Sequence, residues 1–426
     1  MPGTFPIGTL VCGAGIFGRN HLRVWRALQN ENAPVRLAAI IEPDTARAQS
    51  AAGEWGVPVF GSVAECLAAR QRGDLAFDAA SVCTPTSTHC AVAQQLLAAG
   101  LDVLVEKPIA TTVAEADQLI ALAAQHGRIL QTGHLERFNP AVTATKPLLN
   151  HPMFFEAHRL SVFSPRSLDV DVVLDLMVHD LDIVLSLVRS PVRSLHAVGL
   201  PILSRKVDIA NVRIEFESGC VANFTASRVS TERVRKLRFF QPHQYVSIDY
   251  ARQDLLVIDV SRATQMDPGA PFKPDVGLSG FDTGPETSGA PPHLGAPFKP
   301  EVGLSGSETS GAPSHLGAPS LSAASVADRV GSSGASSLSA AQDADRVGST
   351  SVADGAGLGL HIAKPPVQQG EPLRLEIESF LECVRARTTP RVSGEDGRAA
   401  LALALDINTA IAEHAARAGL DRFMKS

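Results

Sequence analysis

The sequence predicts an α/β protein with an N-terminal Rossmann domain, a doubly wound parallel sheet, followed by an α+β domain on a largely antiparallel, open sheet. Three observations support this prediction. Short apolar runs alternate with helical patterns over the first 135 residues, which indicates parallel βαβ units. From residue 136 onward, consecutive strand patterns joined by short turns indicate an antiparallel sheet. Residues 262–361 show neither pattern.

The first domain is predicted to cover residues 1–135. Its four strands are nearly continuous apolar runs, as expected for strands covered on both faces: 7–12, 35–41, 77–83 and 101–106. Helical patterns follow these strands at 19–30, 45–55, 87–99 and 112–126. Because strands and helices alternate, the strands should lie parallel in one sheet.

The second domain is predicted from residues 136–261 together with 362–426, and it should carry the substrate and oligomer contacts. A helical stretch at about 171–189 precedes six strand patterns, at 194–202, 210–218, 220–229, 236–242, 245–251 and 254–260. Short turns such as 217–219 favour antiparallel pairing. Two amphipathic helices complete the domain, at 372–387 and 395–417.

The segment 262–361 is predicted to be a low-complexity insertion in the second domain. It is rich in Gly, Pro, Ser and Ala and repeats short motifs such as GAPFKP and GLSG. It holds ten acidic and five basic residues, so it carries most of the net charge of −6. The repeats lack a periodic apolar face, which excludes a solenoid and predicts disorder. A docking motif for a partner is the alternative to a passive loop.

Composition excludes several classes of protein. The slightly acidic chain lacks the basic footprint that nucleic-acid binding requires. No apolar run is long enough to span a bilayer, and the N-terminus lacks the basic region of a signal peptide. The six cysteines show no paired spacing, which favours reduced thiols in a cytoplasmic protein. No metal site is predicted.

Gly13, Gly15 and Gly18 form the sequence GAGIFG directly between the first strand and the first helix. Glycines at this spacing allow a tight turn and a close approach of the backbone to a pyrophosphate at the helix N-terminus. The alternative is a glycine-rich turn without a ligand. In this strand–turn–helix context, the motif predicts a dinucleotide site.

Glu42 ends the second strand, 24 residues after Gly18. A carboxylate there accepts hydrogen bonds from ribose hydroxyls and repels a 2′-phosphate, which favours NAD over NADP. Asp44 is a competing candidate, and an exposed charge at a strand end is the alternative to either.

Glu106, Lys107 and Pro108 close the fourth strand. Ligands bind beyond the carboxyl ends of parallel strands, so Lys107 should face the cofactor crevice. An ordinary surface lysine is the alternative at this position.

Asp175, His179 and Asp182 lie on one face of a predicted helix because they are four and three residues apart. A carboxylate one turn from an imidazole can fix its tautomer and stabilise its protonated form, as a general base requires. Asp180 points about 100° away and is predicted to be solvated or a packing partner. A histidine that only packs in the core is the alternative.

Together, GAGIFG, CTPTSTH at 83–89, EKP at 106–108 and the D-x-x-x-H-x-x-D pattern at 175–182 resemble the Gfo/Idh/MocA family of nucleotide-dependent sugar oxidoreductases. The resemblance covers residues 7–261 and 365–417. It departs from the family at Met177, where the usual pattern has glycine. This departure concerns local packing more than chemistry.

The resemblance implies an NAD-dependent dehydrogenase with Lys107, Asp175 and His179 as catalytic residues. Thr84 and Pro85 would line the nicotinamide side. The full set of implied cofactor contacts is Gly13, Gly15, Ile16, Phe17, Gly18, Glu42, Thr84, Pro85, His89, Glu106 and Lys107. A homodimer or homotetramer through the open sheet face is also implied.

More narrowly, GHLERFNPAV at 133–142 and NFTASRVST at 223–231 look like the UDP-N-acetylglucosamine 3-dehydrogenases, as does the run 164–183. These enzymes make a 3-keto sugar that a partner aminotransferase converts into a 3-amino sugar for lipid A or another surface glycan. Arg137, Asn139 and Arg166 would then contact the UDP-sugar beside Lys107 and His179, since guanidinium groups suit a pyrophosphate. Each of the three could equally be a structural partner.

The sequence thus predicts oxidation of a sugar hydroxyl, with His179 as base and Lys107 as donor to the developing alkoxide, or with these roles exchanged. An inositol or free-hexose dehydrogenase is the alternative within enzymes. A non-catalytic dinucleotide-binding regulator, or an interaction scaffold built around the insertion, is the alternative of another class.

Overall fold

A computed structural model describes residues 6–163, 170–260 and 360–420. These residues fall within one compact unit, 1–265 with 348–426. Arg166 and nearly all of the segment 262–361 lie outside the described residues. What the sequence predicts for them therefore stays a prediction.

The first sheet has six parallel strands in the order β3-β2-β1-β4-β5-β6. The strands are β1 Ile7–Cys12, β2 Val35–Ile41, β3 Val59–Phe60, β4 Ala79–Val82, β5 Asp102–Glu106 and β6 Leu130–Gly133. The intervening helices are α1 Ile16–Asn30, α2 Thr45–Trp55, α3 Val63–Gln71, α4 Thr86–Ala98 and α5 Val113–Gln125. The predicted doubly wound parallel sheet is therefore confirmed, with β3, α3 and β6 added to it.

The second sheet has eight strands in the order β14-β13-β12-β11-β7-β10-β9-β8. They are β7 Phe154–Leu160, β8 Val192–Leu200, β9 Ile209–Phe216, β10 Val221–Ser227, β11 Val234–Gln241, β12 Gln244–Asp249, β13 Asp254–Val260 and β14 Leu360–Ala363. Every neighbouring pair is antiparallel except β7 and β10. The predicted largely antiparallel sheet is confirmed, and residues 360 and 361 of the predicted insertion belong to its edge strand.

Two short helical segments connect the sheets. A 3₁₀ turn, Leu135–Phe138, follows β6 and precedes α6, Pro140–Thr145. The predicted helix at 171–189 begins as one turn of π-helix, Val173–Met177, and continues as α7, Val178–Val188. Met177, where the family pattern has glycine, is buried in the core between this helix and the second sheet.

The last two helices pack in different places. In α9, Gly394–Arg417, Leu403, Ile407 and Ile411 join the core of the second sheet. In α8, Pro372–Ala386, Ile377 and Phe380 pack in the core formed by α1 and the first sheet. The predicted bounds of the second domain, 362–426 included, stay a prediction. Among the described helices, none combines the length and apolarity needed to cross a membrane.

Candidate active site

The turn between β1 and α1 forms part of the wall of a cavity of about 510 Å³. Gly13 has a φ of +94°, which residues with side chains rarely adopt. A Cβ atom on Gly18 would lie 1.8 Å from the Gly13 carbonyl oxygen, so only glycine lets α1 start this close to β1. A Cβ on Gly15 would meet no atom within 4 Å. The turn is therefore open at Gly15, which lines the cavity.

The N-terminus of α1 fits a dinucleotide pyrophosphate. No side chain caps this helix, and its first turn holds no acidic residue. Free N–H groups and the positive end of the helix dipole favour an anion at such a position. Ile16 and Phe17 follow and are 65% and 40% exposed. Thr84 and Pro85 line the cavity with Gly15. This surface fits a dinucleotide.

Glu42 lines the same cavity but is held firmly by its own chain. Its Oε2 accepts a hydrogen bond from the Ala14 N–H at 2.8 Å, and its Oε1 accepts from the Asp44 N–H at 3.0 Å and from Arg47 Nη2 at 3.1 Å. Burial raises the pKa of Glu42, but these hydrogen bonds outweigh it and leave the pKa below its ordinary value. Asp44 caps α2 through the Arg47 N–H, so it is a structural residue rather than the ribose contact. Glu42 therefore places a fixed negative charge in the cavity wall.

Lys107 follows β5 and reaches the π-helical turn. Its Nζ donates to the backbone carbonyl of Asp175 at 2.8 Å and lies 3.7 Å from Asp175 Oδ1. Burial lowers the pKa of Lys107, while Asp175 and Glu106 oppose the shift. The sequence analysis paired Asp175 with His179, but in the structure the carboxylate lies against Lys107. A π turn holds more residues than an α turn, so side chains four apart do not stack as expected.

His179 lies at the start of α7. Its ring meets that of His134 edge-on, with centroids 6.5 Å apart. Burial lowers the pKa of His179 well below 6.5, and the charges of Lys107 and Arg159 lower it further. Its buried Nδ1 has no hydrogen-bond partner among the described residues. The imidazole is therefore neutral at neutral pH, the form in which it can accept a proton.

Asp182 and Asp180 both point into the protein interior. Asp182 Oδ1 accepts from Arg137 Nη1 at 3.3 Å, and burial raises the pKa of Asp182 to about 7. Asp180 forms a bidentate ion pair with Arg159 at 2.7 and 3.0 Å. Of the three residues predicted to share one helix face, Asp175 therefore contacts Lys107 and Asp182 contacts Arg137. Asp180 is a buried packing partner rather than a solvated residue.

Two of the predicted substrate contacts have structural roles. Arg137 is buried, donates to the Asp182 and Arg391 carbonyls at 3.2 and 3.1 Å, and so ties α7 to the loop before α9. Asn139 is buried, caps α6 through the Ala141 N–H, and donates to the Tyr250 carbonyl at 3.0 Å. The bonded polar atoms of both residues serve the fold, and their contacts with a UDP-sugar stay predictions. Arg166 lies outside the described part of the chain.

Two predicted cofactor contacts lie behind the cavity rather than in it. Glu106 is buried, with Oε1 2.7 Å from His21 Nε2 and Oε2 accepting from the Lys107 N–H at 3.3 Å. His89 is buried, and each of its ring nitrogens lies against a backbone carbonyl, that of Pro108 and that of Thr84. Both residues support the loops that carry the site, and their contacts with a cofactor stay predictions.

Three residues that shape the site were not predicted from the sequence: His134, Arg159 and Arg47. His134 follows the polar strand β6, which has no apolar pattern, and burial lowers its pKa to about 3. Arg159 is a buried cation in β7, which the strand patterns also missed. Arg47 lies on the first turn of α2 and lines the cavity. In the sequence, only its position five residues after Glu42 could have indicated a role in the site.

Two family profiles match the chain. The oxidoreductase family with an NAD-binding Rossmann fold matches residues 7–134, and the GFO/IDH/MocA C-terminal domain matches residues 152–241. A UDP-N-acetylglucosamine 3-dehydrogenase of Acidithiobacillus ferrooxidans is 37% identical over 264 residues, which are 62% of this chain and 80% of the relative. An inositol 2-dehydrogenase of Saccharopolyspora erythraea is 31% identical over 193 residues, 43% of this chain and 54% of the relative.

Solved structures give the same result for the fold. The crystallised UDP-N-acetylglucosamine 3-dehydrogenase of Acidithiobacillus ferrooxidans aligns with a TM-score of 0.68 at 27% identity, over 96% of this chain and 98% of that chain. An oxidoreductase from Agrobacterium radiobacter in complex with NAD⁺ aligns with a TM-score of 0.64 at 13% identity, over 95% and 96%. At that identity, the second likeness concerns the fold alone.

Proposed function

Because the chain belongs to the Gfo/Idh/MocA family of oxidoreductases, we propose that it oxidises the 3-hydroxyl of UDP-N-acetylglucosamine to the 3-keto sugar with NAD as hydride acceptor. The observation that carries the proposal is the bond from Lys107 Nζ to the Asp175 carbonyl beyond the carboxyl end of β5, together with the effect of the Lys107 charge, which lowers the pKa of His179. The loop after the neighbouring strand β4 lines the dinucleotide cavity. The keto product suits an aminotransferase as the next enzyme.

The chemistry requires one hydride and one proton to leave the alcohol. When bound, the nicotinamide accepts the hydride from the sugar carbon. His179 accepts the hydroxyl proton, so the oxygen becomes the carbonyl of the product. Lys107 donates a hydrogen bond to that oxygen as negative charge develops on it. The main chain of Asp175 holds Nζ in place at 2.8 Å. The reverse assignment, with Lys107 as base, predicts a different pH profile.

Incubation of the protein with NAD and UDP-N-acetylglucosamine is expected to produce the absorbance of reduced nicotinamide. Free N-acetylglucosamine, a free hexose and myo-inositol serve as parallel substrates, and the H179A variant serves as the control for turnover at the proposed site. Turnover of myo-inositol without turnover of the UDP-sugar would contradict the proposed substrate and favour the inositol alternative. Normal turnover by H179A would contradict the proposed base.

The preference for NAD is proposed to come from Glu42, with Arg47 beside it. Glu42 is buried and uses three hydrogen bonds from its own chain, which leaves about one acceptor position for a ribose hydroxyl. Its negative charge would repel a 2′-phosphate, whereas a free Arg47 guanidinium would attract one. The Arg47 side chain is 56% exposed and is held toward Glu42. Glu42 thus neutralises the cation that would otherwise favour NADP.

The substitution Glu42→Ser is expected to lower the ratio of kcat/KM for NAD to that for NADP by about tenfold or more, because it removes the repulsion and frees Arg47. The ratio is the measurement, since losing the bonds to Ala14 and Asp44 should weaken both cofactors alike. In the double variant with Arg47→Ala, the gain for NADP should disappear. An unchanged ratio in Glu42→Ser would contradict this role.

A further inference from the structure

His89 joins the two loops that carry the proposed chemistry. It lies in the first turn of α4, it is buried, and its ring bridges two backbone carbonyls. Its Nε2 is 2.8 Å from the carbonyl oxygen of Thr84, which lines the dinucleotide cavity. Its Nδ1 is 2.8 Å from the carbonyl oxygen of Pro108, which follows Lys107 directly. One rigid ring therefore lies between the cofactor loop and the lysine loop, within hydrogen-bond distance of both.

The His89 ring can donate a hydrogen bond to only one of the two carbonyls at a time. Carbonyl oxygens only accept hydrogen bonds, so a ring nitrogen must carry a proton to bond to either one. Burial lowers the pKa of His89, opposed by the two carbonyls and by Glu106. The neutral ring therefore has one N–H for two acceptors, and its tautomer decides which loop is bonded. Thr88 adds support on the cofactor side, since its Oγ1 donates to the Pro85 carbonyl at 2.8 Å.

We propose that His89 is a positioning residue with two separable contacts: the contact at Nε2 sets the nicotinamide side of the cofactor loop, and the contact at Nδ1 sets Lys107. The proposal rests on the proposed dehydrogenase function. Lys107 Nζ is held at 2.8 Å from the Asp175 carbonyl, and displacement of a reacting group by 1 Å costs on the order of 10²-fold in rate. A ring that sets both loops can therefore affect cofactor binding and turnover independently.

Two amide side chains separate the contacts. The amide nitrogen of Asn reaches the position of His Nδ1, and that of Gln reaches the position of His Nε2. H89N should therefore donate to the Pro108 carbonyl only, and H89Q to the Thr84 carbonyl only, whereas the wild-type ring can donate to either. H89L removes both. The measurements are the dissociation constant for NADH, KM for NAD, kcat, and the thermal midpoint of unfolding.

H89N is expected to raise KM for NAD and the NADH dissociation constant about tenfold with kcat nearly retained, and H89Q to lower kcat about tenfold with cofactor affinity retained. H89L should show both changes. If the three variants lower only the thermal midpoint, or if H89N and H89Q each change affinity and kcat together, the ring is simply structural and the proposal is overturned.

Two readouts are independent of the sugar, so failure of the proposed substrate is distinguishable from failure of this proposal. NADH and NADPH binding tests the cofactor contact directly. The pKa of Lys107, followed by NMR of the labelled side-chain nitrogen, tests the lysine contact without any substrate. H89N should keep the wild-type value, whereas H89Q should shift it. Equal values in the two variants would contradict the assignment of Nδ1 to the lysine loop.

Discussion

The substitution Lys107→Met is expected to lower kcat by about 10³-fold while the NADH dissociation constant stays within about threefold of wild type. Lys107 supplies the proposed hydrogen bond to the oxygen that becomes charged, and Met keeps the apolar stem without the charge. The cofactor cavity is formed by other residues, so binding should be retained. Steady-state kinetics with NADH titration by fluorescence measures both quantities.

Lys146→Met is the matched control for this loss. Lys146 also has a lowered pKa, about 8, mainly through burial, with a contribution from the neighbouring charge of Arg391. It lies at the end of α6, and it is not one of the proposed site residues. We expect kcat to stay within about twofold of wild type in this variant. A comparable fall in both lysine variants would point to a general effect of lost charge and contradict the specific role of Lys107.

The pH dependence of kcat distinguishes the two assignments of base and donor. If neutral His179 is the base, activity falls as the pH drops through its pKa, which lies below 6.5. If Lys107 acts as the ammonium donor, activity also falls as the pH rises through its pKa, which lies below 10.5. This arrangement gives a plateau between the two limbs. The reverse assignment requires neutral Lys107 and gives activity that only rises through that pKa.

Elements with a strong apolar pattern were predicted from the sequence, and polar ones were not. β1, β2, β4 and β5 are mostly apolar because helices cover both faces of their sheet. β6 is fully buried, yet it contains Gln131 and Thr132, whose side chains bond to the Glu376 and Ser393 carbonyls. A pattern of hydrophobicity cannot reveal a strand whose burial depends on partners more than 200 residues away.

In the candidate site, too, some residues were predicted from the sequence and others were not. The glycine turn follows from local sterics, and Lys107 from its place at a strand end, so both were accessible to sequence reasoning. The partner of Asp175 was not, because one π-helical turn changed the spacing rule that linked it to His179. The interior roles of Arg137 and Asn139 depend on distant backbone carbonyls. Charge and spacing alone gave no sign of these partners.

Arg159→Met is expected to lower the free energy of unfolding by about 3–5 kcal/mol, the largest stability loss we predict, because it leaves buried carboxylates without their cation. Arg159 lies in the interior and bonds to both oxygens of Asp180 and to Glu136 Oε1 at 3.1 Å. Its guanidinium also lies 5.0 Å from the centre of the Tyr250 ring. Urea unfolding at neutral pH measures the loss, which should shrink at acidic pH as the carboxylates take up protons.

Arg398→Met is the control, since Arg398 pairs with Asp117 in similar bidentate geometry at 2.8 and 3.3 Å but on the surface. Water solvates both ions there, so unfolding should change far less. A second comparison tests the cause: Arg159→Met combined with Asp180→Leu should recover part of the stability because it removes one stranded charge. If the double variant is less stable than Arg159→Met alone, the loss comes from packing around Arg159 rather than from unpaired carboxylates. The pH dependence should then vanish as well, because no stranded carboxylate would remain to be protonated.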